Sequence, residues 1–218
     1  VMQAFHEHEW EAAPGLPEAL PSGEVILWQG RPEVSPLALR AFHVRKVACY
    51  FVLMLAWQAI VLFDDRMERS LVSEQLMVSA VLIAAALLAL WGAAWWSART
   101  TLYTVTNRRV VMRIGIVLSV TFNLPFRQLK AAHLKNYGSE CADIALELLP
   151  TSRIGWFHLW PHQRAWYLKH PQPTLRCLAN ADQVAEILAA AWQEAQESSV
   201  TYPRPHRPQA VMVDGVAA

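Results

Sequence analysis

Few residues in this chain have the types and spacing that chemistry requires. His158 and His162, in HLWPH, stand four apart, which on one helix face suits a metal ion. Pro161 lies between them and argues against a helix there. No carboxylate or cysteine follows at ligand spacing, so two interfacial or strand histidines are the simpler reading. His6 and His8 could chelate only weakly from an irregular arm. Asp64 and Asp65 are adjacent, and a solvated turn explains them without an acid–base pair. Cys49, Cys141 and Cys177 lack CxxC spacing and read as reduced cytoplasmic thiols with no metal or disulfide role. No GxSxG, Walker A, dinucleotide-binding or HExxH pattern occurs. The expectation is a non-enzymatic chain with no catalytic, cofactor-binding or metal-binding residues.

What positions these residues matters more. VACYFVLMLAWQAIVLF (47–63) and LMVSAVLIAAALLALWGAAWW (76–96) contain no Asp, Glu, Lys, Arg or His. A helix crossing a bilayer core needs about 20 mainly apolar residues, with a range of about 17–25. Only DDRMERSLVSEQ separates the two, so they form a helical hairpin with both chain ends on one side. The alternative, a soluble protein with two buried helices, would ordinarily show a polar stripe on helices this long. The first stretch starts too far into the chain for a signal peptide and has no small-residue cleavage site behind it. A chlorophyll-type pigment usually takes a histidine inside a span as axial ligand, and neither span has one. His43 lies just before the first.

Arg31, Arg40, Arg45 and Lys46 precede the first span, and Arg99, Arg108, Arg109 and Arg113 follow the second. The connecting loop offers Arg66 and Arg69 beside four carboxylates. The excess of Lys and Arg in short flanks predicts both termini in the cytoplasm. Arg45, Lys46, Arg99, Arg108, Arg109 and Arg113 are expected near anionic lipid headgroups, which attract such residues by about 1 kcal/mol each. Trp95 and Trp96 fit an interfacial aromatic belt, whereas Trp57 reads as a deeper packing residue. Ala85, Ala89, Gly92 and Ala93 form a small-residue face that lets helices approach closely. It could pack within the hairpin or against a partner's span, with Gln58 bonding across either contact. A net charge of +1 over 218 residues excludes a strongly polyanion-binding protein, so no nucleic-acid partner is expected.

Outside the hairpin, residues 1–23 read as an irregular arm rich in Glu and Pro. Residues 24–46 comprise a strand, EVILWQG, and a basic lead-in. After the hairpin (47–96), residues 97–197 read as one cytoplasmic domain. TTLYTVTNRRVVMRIG and IVLSVTFNLPF are rich in strand formers. AAHLKNY, DIALELL and IGWFHLW are further strand candidates, and RAWYLKH is one more. Val184, Ile187, Leu188, Ala191, Trp192 and Ala195 follow a helical period, with Asn180 as N-cap and Gln183 completing a capping box. Residues 198–218, with SSVTYPRPHRPQ, read as a flexible tail. The fold class is an α+β membrane protein: a two-helix transmembrane hairpin inserted in a small β-barrel or sandwich capped by a C-terminal helix. The strand at 24–30 should pair across the hairpin, because a short strand is unstable alone.

GLPEALPSGEVILWQGRPE, AFHVRKVACYF, TTLYTVTNRRVVMRIGIVLSVTFNLPFRQLKAA and HLWPHQRAWYLKHPQP occur in that order. Together they resemble the PuhB family, the photosynthetic complex assembly proteins of purple bacteria, over roughly residues 14–195. YTVTNRRVVMRIG with LPFRQL also resembles the bacterial pleckstrin-homology-like domain. The resemblance implies a pleckstrin-homology-like barrel capped by a helix, and a role in assembling the photosynthetic reaction centre and, indirectly, its light-harvesting 1 antenna. Reaction-centre subunits and light-harvesting 1 polypeptides are the implied partners, in the bacterial inner membrane. A homo-oligomer stays open. The competing reading is a lipid- or headgroup-binding module of general membrane function.

Overall fold

The computed structural model describes residues 15–16, 18–64, 69–115, 119–138, 141–150 and 154–201. His6, His8, Asp65, the rest of the arm up to residue 14 and the tail beyond 201 lie outside the described residues.

Two long helices, α2 (Val44–Asp64) and α3 (Arg69–Thr100), form the expected hairpin. Both are long and apolar enough to cross a membrane, and only 6% and 0% of their most apolar windows are buried. A soluble protein's core helix would be mostly covered, so these are not core helices. One row of α3 residues withdrawn from the surface is Val72, Leu76, Ser79, Ile83, Ala86, Leu90, Ala93 and Ser97. They alternate in steps of four and three, the spacing of a left-handed two-helix seam. On α2 the facing side includes Phe51, Leu55, Gln58, Ala59 and Leu62.

A helix the length of α3 spans about 48 Å at 1.5 Å per residue, more than the roughly 30 Å of a bilayer core. Its last turns therefore pass from the apolar stretch into the domain. There α1 (Val34–Arg40) packs on it, with Leu37, Ala38 and Phe42 against Ala94 and Ala98. The sequence reading missed α1, taking this stretch as a basic lead-in. Pro36 does not prevent the helix because proline is tolerated in a first turn, where N–H groups lack partners anyway.

The strands form two antiparallel sheets. The first has the order β1 (Ile26–Gly30), β2 (Leu102–Thr106), β3 (Arg109–Ile114), β4 (Val120–Pro125), and the second β5 (Leu129–Asn136), β6 (Ala142–Leu148), β7 (Thr174–Leu178). As expected, β1 pairs with a strand from beyond the hairpin: Gln29 lies opposite Thr104 and Gly30 opposite Tyr103. Of the expected barrel or sandwich, the closed barrel is not formed, and the strands stay in two separate sheets. Pro125, which has no N–H to donate, leads into a single 3-10 turn at Phe126–Gln128, and the chain leaves one sheet for the other.

The core lies between the sheets, with Tyr103, Val105 and Met112 from one, Ile144, Leu146 and Leu175 from the other, and Val184, Leu188 and Ala191 of α5 (Ala181–Thr201). The α5 residues keep the helical period that the sequence predicts, with Ile187, Trp192 and Ala195 packed against the same core. Asn180 stands in the left-handed region (φ 53) and its carbonyl accepts the Val184 N–H at 3.3 Å. The helix also runs past the expected start of the tail, where the Ser198 hydroxyl donates to the Glu194 carbonyl at 2.8 Å.

Two expected strands are absent. IGWFHLW contains α4 (Trp156–Leu159), and RAWYLKH is bends and turns. Their apolar residues do not alternate between a core and solvent: Phe157 is 82% exposed and Trp166 94%. The strand β7 was missed because all five of its residues are buried. Leu175 and Leu178 enter the main core while Cys177 faces α1 and α3, and the polar Thr174 and Arg176 between them are buried as well, so a stretch this short with an arginine in it does not read as a buried strand.

Candidate functional site

His162 joins the hairpin to the domain. It is fully buried, and both ring nitrogens are engaged. Nε2 lies 3.0 Å from Thr101 Oγ1 and 3.3 Å from Ser97 Oγ, and Nδ1 lies 2.6 Å from the Tyr103 hydroxyl. That hydroxyl accepts the Arg176 backbone N–H at 3.2 Å, so its own proton goes to Nδ1 and the imidazole proton sits on Nε2. Burial, followed by the Arg176 charge, pushes the His162 pKa down to about 3. Burial raises that of Tyr103, which stays a donor. This set is a neutral pin between the end of α3, β2 and β7. His158 is exposed on α4, so the two histidines do not converge on a metal.

A groove of about 780 Å³ opens beside this pin, where α1 turns into α2. Its cations are Arg40, Arg45, Lys46, Lys135 and Arg176, and no carboxylate lines it among the described residues. Its aromatic walls are Tyr137, Trp156, Trp160 and Trp166. The α1 helix is held there by the Glu33 N–H donating to the Cys177 carbonyl at 2.9 Å. The Arg40 guanidinium stacks 4.1 Å from the Tyr137 ring centre and donates to the Tyr137 carbonyl at 3.4 Å. Lys135 Nζ lies 5.1 Å from the same ring centre. Phe42 meets Trp160 edge to face, with centroids 5.3 Å apart. His43, at the turn with φ 53, has its pKa lowered by burial and then by the Lys46 and Arg176 charges. Arg176 Nη2 donates to the Gln163 carbonyl at 2.8 Å. Arg176 Nε and Gln163 Oε1 are buried without a hydrogen-bond partner among the described residues.

The structure separates the basic residues expected at a membrane surface. Arg45 and Lys46 line the groove at the first turn of α2. Arg99 lies over the Trp95 ring, 5.2 Å from its centre, and Trp95 and Trp96 are both outward-facing. Arg113 stands opposite Leu102, next to the end of α3. Arg108 and Arg109 are at the other end of that β-hairpin, about 13 Å away along the strand at 3.3 Å per residue. Arg109 is committed to Glu24, with Nε at 2.7 Å and Nη2 at 3.0 Å. The Thr106 hydroxyl donates to the same carboxylate at 2.9 Å. Arg108 Nη2 donates to the Ser22 carbonyl at 3.4 Å.

In the hairpin, Gln58 is half-buried on the side facing α3. Ala93 is in the seam, whereas Ala85, Ala89 and Gly92 face outward. A Cβ added at Gly92 would meet nothing within 4 Å. Trp57, read as a packing residue, is 69% exposed, because it falls off the seam formed by Leu55, Gln58 and Leu62. Sequence reasoning assigned no site to Lys135, Tyr137, Gln163 or Arg176. They lie far apart in the chain and in no shared motif, and the pairing of β5, β6 and β7 with the Gln163–Pro173 bridge brings them together. All three cysteines are free.

The bacterial PH-domain family matches residues 47–192, which takes in the hairpin, β2 to β7 and part of α5 but not β1. A Rhodobacter capsulatus protein described as an uncharacterized 23.7 kDa protein in the puhA 5′ region is 35% identical over 193 residues, covering 86% of this chain and 88% of that protein. No solved structure matches. With most of its length matched in both comparisons, the chain belongs to the bacterial PH-domain family, in the PuhB-like group that its sequence resembles.

Proposed function

We propose that this chain is a non-enzymatic assembly factor in the inner membrane of a phototrophic purple bacterium. It crosses the membrane twice, keeps both termini in the cytoplasm, and holds reaction-centre subunits while the complex is built, with light-harvesting 1 polypeptides affected in turn. The observation that carries this reading is the likeness, across nearly the whole chain, to a protein encoded beside puhA. Two structural features support it. The hairpin leaves Ala85, Ala89 and Gly92 outward, a small-residue surface that a partner's span can approach closely. The nearest approach to a catalytic set, His162 with Tyr103, Ser97 and Thr101, is enclosed and has both ring nitrogens engaged.

Deleting the gene tests this. Reaction-centre abundance should fall while pigment synthesis is unchanged, and the full chain purified in mild detergent should carry reaction-centre subunits with it. Normal reaction-centre levels in the deletion strain would defeat the proposal.

A further inference from the structure

We infer that the groove at the foot of the hairpin binds the phosphate headgroup of an anionic glycerophospholipid. Five cations line it and, among the described residues, no carboxylate does. A groove of that composition favours an anion. The two unpartnered buried atoms say what would complete it. Arg176 is 9% exposed and Gln163 7%, and both line the groove. Among the described residues, the Arg176 Nε–H lacks an acceptor and the Gln163 Oε1 lacks a donor. Buried groups of this kind are nearly always satisfied, and an unmade hydrogen bond there is costly. A phosphate oxygen is the strongest acceptor a guanidinium can take. A headgroup hydroxyl is the donor that Gln163 lacks. A phosphodiester carrying a free hydroxyl supplies both.

Position selects a lipid over a soluble phosphate. Arg45 and Lys46 lie in the first turn of α2, so the groove mouth is at headgroup depth when the hairpin crosses a bilayer. The rim beside it carries Phe157, Trp160, Trp166 and Leu168, exposed at 82%, 48%, 94% and 61%. Aromatic side chains of this kind favour the interfacial layer of a membrane. A volume of about 780 Å³ holds far more than an inorganic anion and leaves room for the glycerol and the start of the acyl chains.

The site rests on the hairpin crossing a membrane, and the test separates the two. The full chain is reconstituted in nanodiscs of equal phosphatidylglycerol and phosphatidylcholine, transferred to mild detergent, and its retained lipids are measured by native mass spectrometry. The wild type should retain phosphatidylglycerol over phosphatidylcholine by about tenfold, and Arg40→Gln with Lys135→Gln should reduce this to about twofold at unchanged Tm. If the double variant unfolds early, Lys135→Gln alone, on an exposed side chain, should still cost about threefold. Equal retention by the wild type would overturn the site, as would a preference that both variants keep. Displacement of phosphatidylglycerol by equimolar glycerol 3-phosphate would make it a soluble-phosphate site instead. A preference abolished by adding an acidic peptide from the chain's own residues 1–14 would make it a peptide groove. A chain that never enters nanodiscs would overturn the membrane reading, and the site with it.

Discussion

The two ends of the domain each draw an arginine partly or wholly out of solvent near β2, and they treat it in opposite ways. Away from the hairpin, Arg109 meets the Glu24 carboxylate through two nitrogens, and Thr106 donates to the same group. The side chain of Glu24 is 2% exposed and that of Arg109 21%. Asn107 adds a grip on the chain before β1, accepting the Val25 N–H at 3.1 Å and donating to the Gly23 carbonyl at 3.0 Å. Glu24 and Arg109 neutralise each other, and the result is a clasp that holds β1 to the β2–β3 turn. Beside the hairpin, Arg176 donates to a carbonyl oxygen, with four more cations around the groove, and the buried Asp143 carboxylate behind it is taken instead by the Cys177 N–H at 2.8 Å and the Tyr137 hydroxyl at 3.0 Å. A buried charge with its counter-ion is a structural joint. A buried charge without one is stored binding capacity.

The largest effect should come from opening the clasp. Glu24→Ala leaves Arg109 without its counter-ion and should lower unfolding free energy by about 3 kcal/mol, read by denaturant titration. Replacing both Glu24 and Arg109 with Met should recover most of that loss, since removing a whole pair avoids the unpaired charge. A clasp variant as stable as the wild type would erase the contrast between the two ends.

The hairpin end should instead respond to acid. The folded-state pKa of His162 is depressed to about 3 from its ordinary 6.5, so the unfolded chain binds the extra proton between those values. Its contribution is fully present above pH 6.5 and is lost progressively as pH falls toward 3. At pH 5.5 the loss relative to pH 8 is about 1.4 kcal/mol. His162→Gln should flatten this part of the pH profile, even where it lowers stability overall. Matching slopes for wild type and variant between pH 6.5 and 5.5 would show that the pin does not titrate as its burial requires.

Arg176→Met sharpens the comparison directly. Here the substitution removes an uncompensated cation as well as one hydrogen bond, so it should cost about 1 kcal/mol or less. A cost as large as that of Glu24→Ala would mean that Arg176 is structurally paired. The smallest effect on stability belongs to Ala89→Leu. Ala89 faces away from α2, so the change should shift unfolding free energy by less than about 0.5 kcal/mol and leave membrane insertion intact. Co-purification of reaction-centre subunits should fall. If the variant loses stability instead, Ala89 belongs to the hairpin seam.

How much was legible in the sequence depends on whether a feature is local. The hairpin was readable because each span declares itself in consecutive apolar residues, and α5 because its core residues recur at helical spacing. The pairing of β1 across the hairpin was readable from necessity, since a five-residue strand needs a neighbour. The strand β7 was not, because its five residues include Thr174 and Arg176, whose burial depends on partners from other elements. Nor was the turn-rich stretch around Trp166, whose exposed aromatic residues imitate a strand's composition without its burial.

The sequence by itself determined that two apolar helices exist, that strand-forming segments flank them, and that no run of residues carries a catalytic motif. Those are properties of neighbours in the chain, set by period and composition. Only the tertiary structure decided that His162 is a pin and not a ligand, that Arg109 is neutralised while Arg176 is not, and that Ala89 faces outward. The physical reason is common to all three. Whether a charge is paired, a nitrogen occupied or a small residue covered depends on groups brought from distant positions, Glu24 to Arg109 and Tyr103 to His162, and spacing along the chain does not encode that meeting.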